Sequence, residues 1–81
     1  GWKTDMGRVM VVYGFPAQIE KHEFESDMKT HQIWYFFQLK DQPAQTIFVF
    51  ADMDDSGVLR LIHSNARGEI AAPNWQTIIR K

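Results

Sequence analysis

Gln32-Ile33-Trp34-Tyr35-Phe36-Phe37-Gln38-Leu39 and, beyond the break Lys40-Asp41-Gln42-Pro43, Thr46-Ile47-Phe48-Val49-Phe50-Ala51 are the stretches whose reading decides the fold. Successive side chains of a strand point to opposite faces. Ile33, Tyr35 and Phe37 therefore share one face, and Trp34 and Phe36 the other. Ile47 and Val49 likewise oppose Phe48 and Phe50. Apolar residues on both faces mark central strands with both sides covered.

Working outward, residues 58–63 form a further strand with Leu59 and Leu61 on one face, reached through the turn Asp52-Met53-Asp54-Asp55-Ser56-Gly57. Short loops between these strands predict an antiparallel meander. Upstream, residues 8–13 are β-branched and read as a strand closed by Gly14 and Pro16. Residues 18–26 read as another strand. Residues 64–72 read as irregular. Trp75, Ile78 and Ile79 stand three and four apart, on one face of a short C-terminal helix, with Arg80 and Lys81 suited to its negative end. The expected fold is α+β, mainly β: a twisted antiparallel sheet of four to five strands with a short C-terminal helix. That helix covers one face, and the rest of a parent protein or a partner is expected to cover the other.

Eighty-one residues allow a single domain, spanning 1–81. There is no cysteine, so no disulfide supports this small core, but six Phe, three Trp and two Tyr supply ample apolar surface. The net charge is −1 with signs interspersed, which argues against a phosphate-neutralising surface and a nucleic-acid partner. No apolar run reaches the roughly 20 residues of a membrane span, and no membrane insertion by this segment is expected. The opening Gly1-Trp2 in place of a methionine leads to the expectation of a piece excised from a longer protein.

Gly1-Trp2-Lys3-Thr4-Asp5 then takes on meaning alongside Gly7-Arg8, Tyr13-Gly14-Phe15-Pro16, Ile19-Glu20, Ile33-Trp34-Tyr35-Phe36, Phe48-Val49-Phe50, Leu61-Ile62-His63-Ser64, Gly68-Glu69 and Pro73-Asn74-Trp75. In order and spacing these fragments resemble the GWxTD domain, an uncharacterised module of exported bacterial envelope proteins, over most of the chain. The resemblance implies export to the periplasm or cell envelope. It implies no reaction, no cofactor and no catalytic residues.

Asp52, Asp54 and Ser56, with Gly57 sixth, match the front half of a calcium loop, but position twelve is His63 where a bidentate Glu is needed. An acidic hairpin turn is the favoured reading, with weak metal binding as the alternative. His22, His31 and His63 share no zinc-ligand spacing. His63-Ser64 lacks a nucleophile elbow, and His63 is expected to satisfy a backbone carbonyl. Trp2, Trp34 and Trp75, with Tyr13 and Tyr35, could stack sugar rings or fill the core. Thr4-Asp5 is read as a turn that positions Arg8, either in a structural Asp5–Arg8 pair or exposed to recognise a carboxylate.

Three functional readings follow. The first is a non-catalytic structural or protein-interaction module that binds an envelope protein or the rest of its parent chain. The second is a carbohydrate-binding module using Trp2, Trp34 or Trp75. The third is a hydrolase with His63 or the Asp52–Asp55 cluster as acid–base groups, which requires a pocket that brings them together.

Overall fold

In the computed structural model, which describes residues 3–81, the chain begins with a helix rather than a strand. α1 spans Asp5–Tyr13. It is followed by β1 (Gln18–His22), β2 (His31–Phe37), β3 (Gln45–Ala51), β4 (Arg60–Ser64) and a single helical turn, α2 (Trp75–Ile78).

Local chemistry explains why residues 8–13 are helical despite their valines. Thr4 is the N-cap, and its Oγ1 accepts a hydrogen bond from the Gly7 N–H at 2.9 Å. Asp5 places a carboxylate in the first turn, where the helix dipole favours it. Gly14, at φ 91°, closes the other end by donating its N–H to the Met10 carbonyl. Between the caps, Met6, Val9, Met10 and Tyr13 recur at helical spacing, and all of them pack onto the sheet. Val11 and Val12 point to solvent at 72% and 59% exposure. Capping and a continuous apolar stripe outweigh the modest strand preference of the valines.

The four strands form one antiparallel sheet in the order β1-β2-β3-β4. The expected meander is thus borne out. Trp34 stands opposite Phe48, and Ile33 opposite Val49, so the faces inferred from alternation hold. On the first face Trp34, Phe36, Phe48 and Phe50 pack against Val9 of α1 and against Ala66. Trp34 and Phe50 meet with ring centroids 4.7 Å apart, and Tyr13 reaches Phe48 at 5.0 Å. Fully burying an aromatic such as Phe48 or Phe50 contributes about 1.5–3 kcal/mol.

The second face, carrying His31, Ile33 and Val49, is covered from within the chain. After β4 the chain leaves Ala66 in the first core and Glu69 against α1, then reaches the second face at Ala72, which bonds His63, and Trp75 comes to lie 6.2 Å from the His31 ring. Ile79 is fully buried. The chain end then zips against the segment before β2: Lys29 N–H donates to Ile79 O, Lys81 N–H to Asp27 O, and Met28 bridges Arg80. Both faces therefore have cover, α1 on one and this return segment on the other, where only one had been expected. The C-terminal helix is shorter than expected. Arg80 and Lys81 lie past it in the bridge, because Ile79 is drawn into the core and Asn74 provides no side-chain cap to extend the turn.

A β-bulge decides which residues of β4 reach which face. Phe50 pairs with Leu61 and Val49 with His63, so Ile62 is an inserted residue. Leu61 thereby stays with the first core, while His63 is switched to the second face.

Candidate functional site

Three of the sequence fragments quoted above meet at one end of the first core. Arg8, the fourth residue of α1, forms a bidentate pair with Glu69: Nη2 to Oε1 at 2.8 Å and Nη1 to Oε2 at 3.1 Å. Tyr13, one and a half turns further along, donates its hydroxyl to Glu69 Oε2 at 2.7 Å. Glu69 is 9% exposed at its side chain and Arg8 42%. The guanidinium beside Glu69 holds its carboxyl below the usual carboxylate range, and burial is opposed by that bond and by the tyrosine. Burial, followed by the bond to Glu69, pushes the Tyr13 hydroxyl up to about 12. With each group occupied by the others, the cluster fastens α1 to the loop after β4.

The expected Asp5–Arg8 pair gives way to two separate anchors. Asp5 Oδ2 instead accepts the Leu61 N–H at 2.8 Å. A carboxylate at the start of α1 thus takes a backbone donor on the outer strand, and Thr4-Asp5 is a helix start rather than a turn.

The acidic turn 52–57 is held by its own backbone. Asp52 Oδ1 accepts the Ser56 N–H at 3.0 Å and Oδ2 the Gly57 N–H at 2.8 Å. Asp54 Oδ1 accepts from the Ser56 hydroxyl at 2.7 Å, which draws its pKa down. This is the geometry of the hairpin-turn reading, with Asp55 at φ 56° and Gly57 at φ 85° completing the reversal. Asp52, Asp54 and Asp55 line a cleft of about 490 Å³ with Lys29 and Lys81. His63 does not line it.

A second cleft, of about 380 Å³, opens on the histidine-bearing face between β1, β2 and α2. At its rim the His22 ring lies between two carboxylates, Nε2 to Glu20 Oε2 at 2.6 Å and Nδ1 to Glu25 Oε2 at 2.9 Å. Both ring nitrogens face carboxylate oxygens, an arrangement that favours the protonated ring. The bonds to Glu20 and then Glu25 raise its pKa. In return, His22 first and the Tyr35 hydroxyl second, donating to Oε1 at 3.0 Å, lower the pKa of Glu20. Burial and then Glu20 raise that of Tyr35. The His22 ring stacks on His31 at 4.5 Å, interplanar angle 6°. His31 Nδ1 bonds the Lys29 carbonyl. Trp75 and Gln76 form the opposite wall. The arrangement offers a polar, preorganised rim beside an aromatic wall. The imidazole is engaged by a carboxylate at each of its two nitrogens. Among the described residues, no group of three or more His, Cys, Asp or Glu is placed to hold a metal ion.

The tryptophans part company. Trp34 is 2% exposed beneath α1, with its Nε1–H bonded to Gln32 Oε1, so burial withdraws it from ligand binding. Trp75 borders the cleft. Trp2 lies outside the described residues. His63, at 8% exposure, has Nδ1 accepting the Ala72 N–H at 2.8 Å, so it satisfies a backbone donor rather than the expected carbonyl. Ser64 donates to the Ile47 carbonyl and accepts from the Ala66 N–H, which leaves no activated serine there. Sequence inspection missed the Glu20–His22–Glu25 grouping. Its only trace was the alternation of Glu20 and His22 on one face of β1.

No helix among the described residues is long and apolar enough to cross a membrane. Among protein families, the model described as the GWxTD domain matches residues 1–81. No curated protein matches, and no solved structure matches.

Proposed function

Because the chain belongs to the GWxTD domain family, we propose that it is a non-catalytic structural or protein-interaction module of an exported envelope protein, taking its partner along the open edge of β1. The envelope setting comes from what the family resemblance implies. The signature residues Thr4, Asp5 and Arg8, with Tyr13 and Glu69, are employed in holding helix, strand and loop together.

The observation that carries the interaction reading is a difference between the two sheet edges. At β4, the Leu61 N–H is taken by Asp5 and the Ser64 N–H by the Ile70 carbonyl. Among the described residues, nothing comparable closes the outer edge of β1. Alternate residues of such an edge present free N–H and C=O groups, the template for strand addition. Phe15 and Phe24, 83% and 93% exposed, flank it, and Ile19 within it is 42% exposed.

The test is a pull-down from envelope extract comparing the wild-type chain with Ile19→Lys, whose charge disfavours edge pairing. Circular dichroism establishes that the variant is folded. A tenfold or greater loss of the captured partner is expected. Undiminished capture by the folded variant overturns the edge reading.

The cleft bordered by Trp75 favours a second reading, carbohydrate binding, with Tyr35, Glu20 and Gln76 as polar partners. It predicts saturable quenching of tryptophan fluorescence by a glycan that disappears in Trp75→Phe. A flat response across a glycan panel removes it.

A further inference from the structure

His63 lies beneath the return segment, and its hydrogen bond fixes its protonation state by geometry. A backbone N–H can only donate, so Nδ1, 2.8 Å from the Ala72 nitrogen, must be an unprotonated acceptor. The ring is therefore neutral, with its proton on Nε2. We infer that His63 is a pH-sensitive latch that holds residues 71–78 against the second face of the sheet and releases them in mild acid. Protonation would put an N–H on Nδ1 directly facing the Ala72 N–H. Two donors would oppose each other, and a cation would sit in a largely dry site. Lifting residues 71–78 relieves both costs by giving the ring to water.

The groups around His63 leave it without compensation. Val49 faces it from β3 and Ala72 from the return segment. Burial alone pushes its pKa down, with no carboxylate or cation among the described residues adding to that shift. On this side of the sheet Glu20 and Glu25 are bonded to His22 at the β1 edge, across two strands from β4. His31 is tied to the Lys29 carbonyl. Little else holds the middle of the segment. α2 is four residues long, lacks a side-chain cap and buries none of its own residues. The firm anchors are beyond it, where Ile79 and Lys81 bond Lys29 and Asp27.

The sign follows from the depressed pKa. The latch is at full strength above the ordinary histidine value of about 6.5 and weakens as pH falls below it, until the folded-state pKa is passed. Across that interval the opening constant rises up to tenfold per pH unit.

Amide hydrogen exchange followed by NMR tests this, with protection factors corrected for intrinsic pH dependence. Below pH 6.5 the Ala72 amide is expected to lose protection by up to tenfold per pH unit, while amides of the β2–β3 ladder keep theirs. In His63→Asn the side-chain oxygen occupies the place of Nδ1 and does not titrate, so Ala72 protection should become flat with pH. An unchanging wild-type amide, an equal loss in the folded variant, or a loss shared with β2–β3 overturns the latch. Should the variant not fold, 15N titration of the wild-type His63 ring decides. The Nε2–H tautomer must be present at pH 7, and the closed-state ring must stay neutral while Ala72 begins to lose protection below pH 6.5. An Nδ1–H tautomer at pH 7, or a ring that titrates at the ordinary value of about 6.5, overturns the proposal.

Discussion

The two faces of this sheet are covered by different physics. The first is sealed by hydrocarbon: Val9 of α1 over Trp34, Phe36, Phe48 and Phe50, with the Arg8–Glu69–Tyr13 cluster as a clasp at its border. The second is covered by a four-residue helical turn and its flanks. There Ile33, Val49 and Ile79 share the space with the imidazoles of His31 and His63. Apolar burial is indifferent to pH, whereas the His63 imidazole bonds its neighbour Ala72 through a nitrogen that can take up a proton.

The strongest way to break the comparison is Phe48→Ala, which empties the centre of the first core. A loss of about 3–5 kcal/mol is expected, against a total stability of roughly 4–12 kcal/mol for a domain of this size. Denaturant titration should show the variant near or past its unfolding midpoint in water. A loss under about 1 kcal/mol would mean that α1 does not seal this face.

Next comes the clasp. Glu69→Ala removes three hydrogen bonds at once. Arg8 is partly exposed and recovers solvation, so about 2 kcal/mol is expected. The carboxyl is depressed in the folded state. Its contribution is therefore complete above about pH 4.3 and is lost as pH falls from there through the folded pKa. Melting temperature against pH should show wild type and Glu69→Ala converging in acid. Curves that stay parallel below that range would remove the electrostatic account.

Thr4→Ala should cost about 1 kcal/mol through loss of the N-cap. The change should be visible as loss of helical ellipticity on mild heating before the sheet melts. An unaltered helix would assign the start of α1 to packing alone.

The smallest effect sharpens the second face. Bonds to Glu20 and then Glu25 favour the protonated His22 ring and raise its pKa. Its contribution is present below about pH 6.5 and disappears as pH rises through the folded value, the opposite sense to His63. Solvent access to the pair keeps it under about 1 kcal/mol. Stability of His22→Gln should fall below wild type at pH 5.5 and meet it by pH 9. A difference that persists at pH 9 would show that ring stacking on His31, rather than charge, is what His22 provides.

Much of the central sheet was legible because alternation is a local property. Ile33 and Tyr35 against Trp34 and Phe36, and Val49 against Phe48 and Phe50, needed only the pleat. The acidic turn at Asp52 was legible for the same reason, since its hydrogen bonds span four and five residues. Residues 8–13 misled because their valines suit a strand, while the deciding signals were a threonine cap and the inward set Met6, Val9, Met10 and Tyr13. The Glu69 partner of Arg8 is separated from it by 61 residues, and no spacing rule reaches so far.

The sequence by itself determined a small, cysteine-free, mainly antiparallel domain, its two central strands and their division into faces, and its membership in the GWxTD domain family. Tertiary structure alone decided what covers each face and where the histidines lie. By alternation His63 belongs with Leu61 on the first face. The inserted residue Ile62 turns it to the other, and pairing with β3 is what locates that insertion. A bulge is a mismatch between two strands, so it cannot be read from one strand alone.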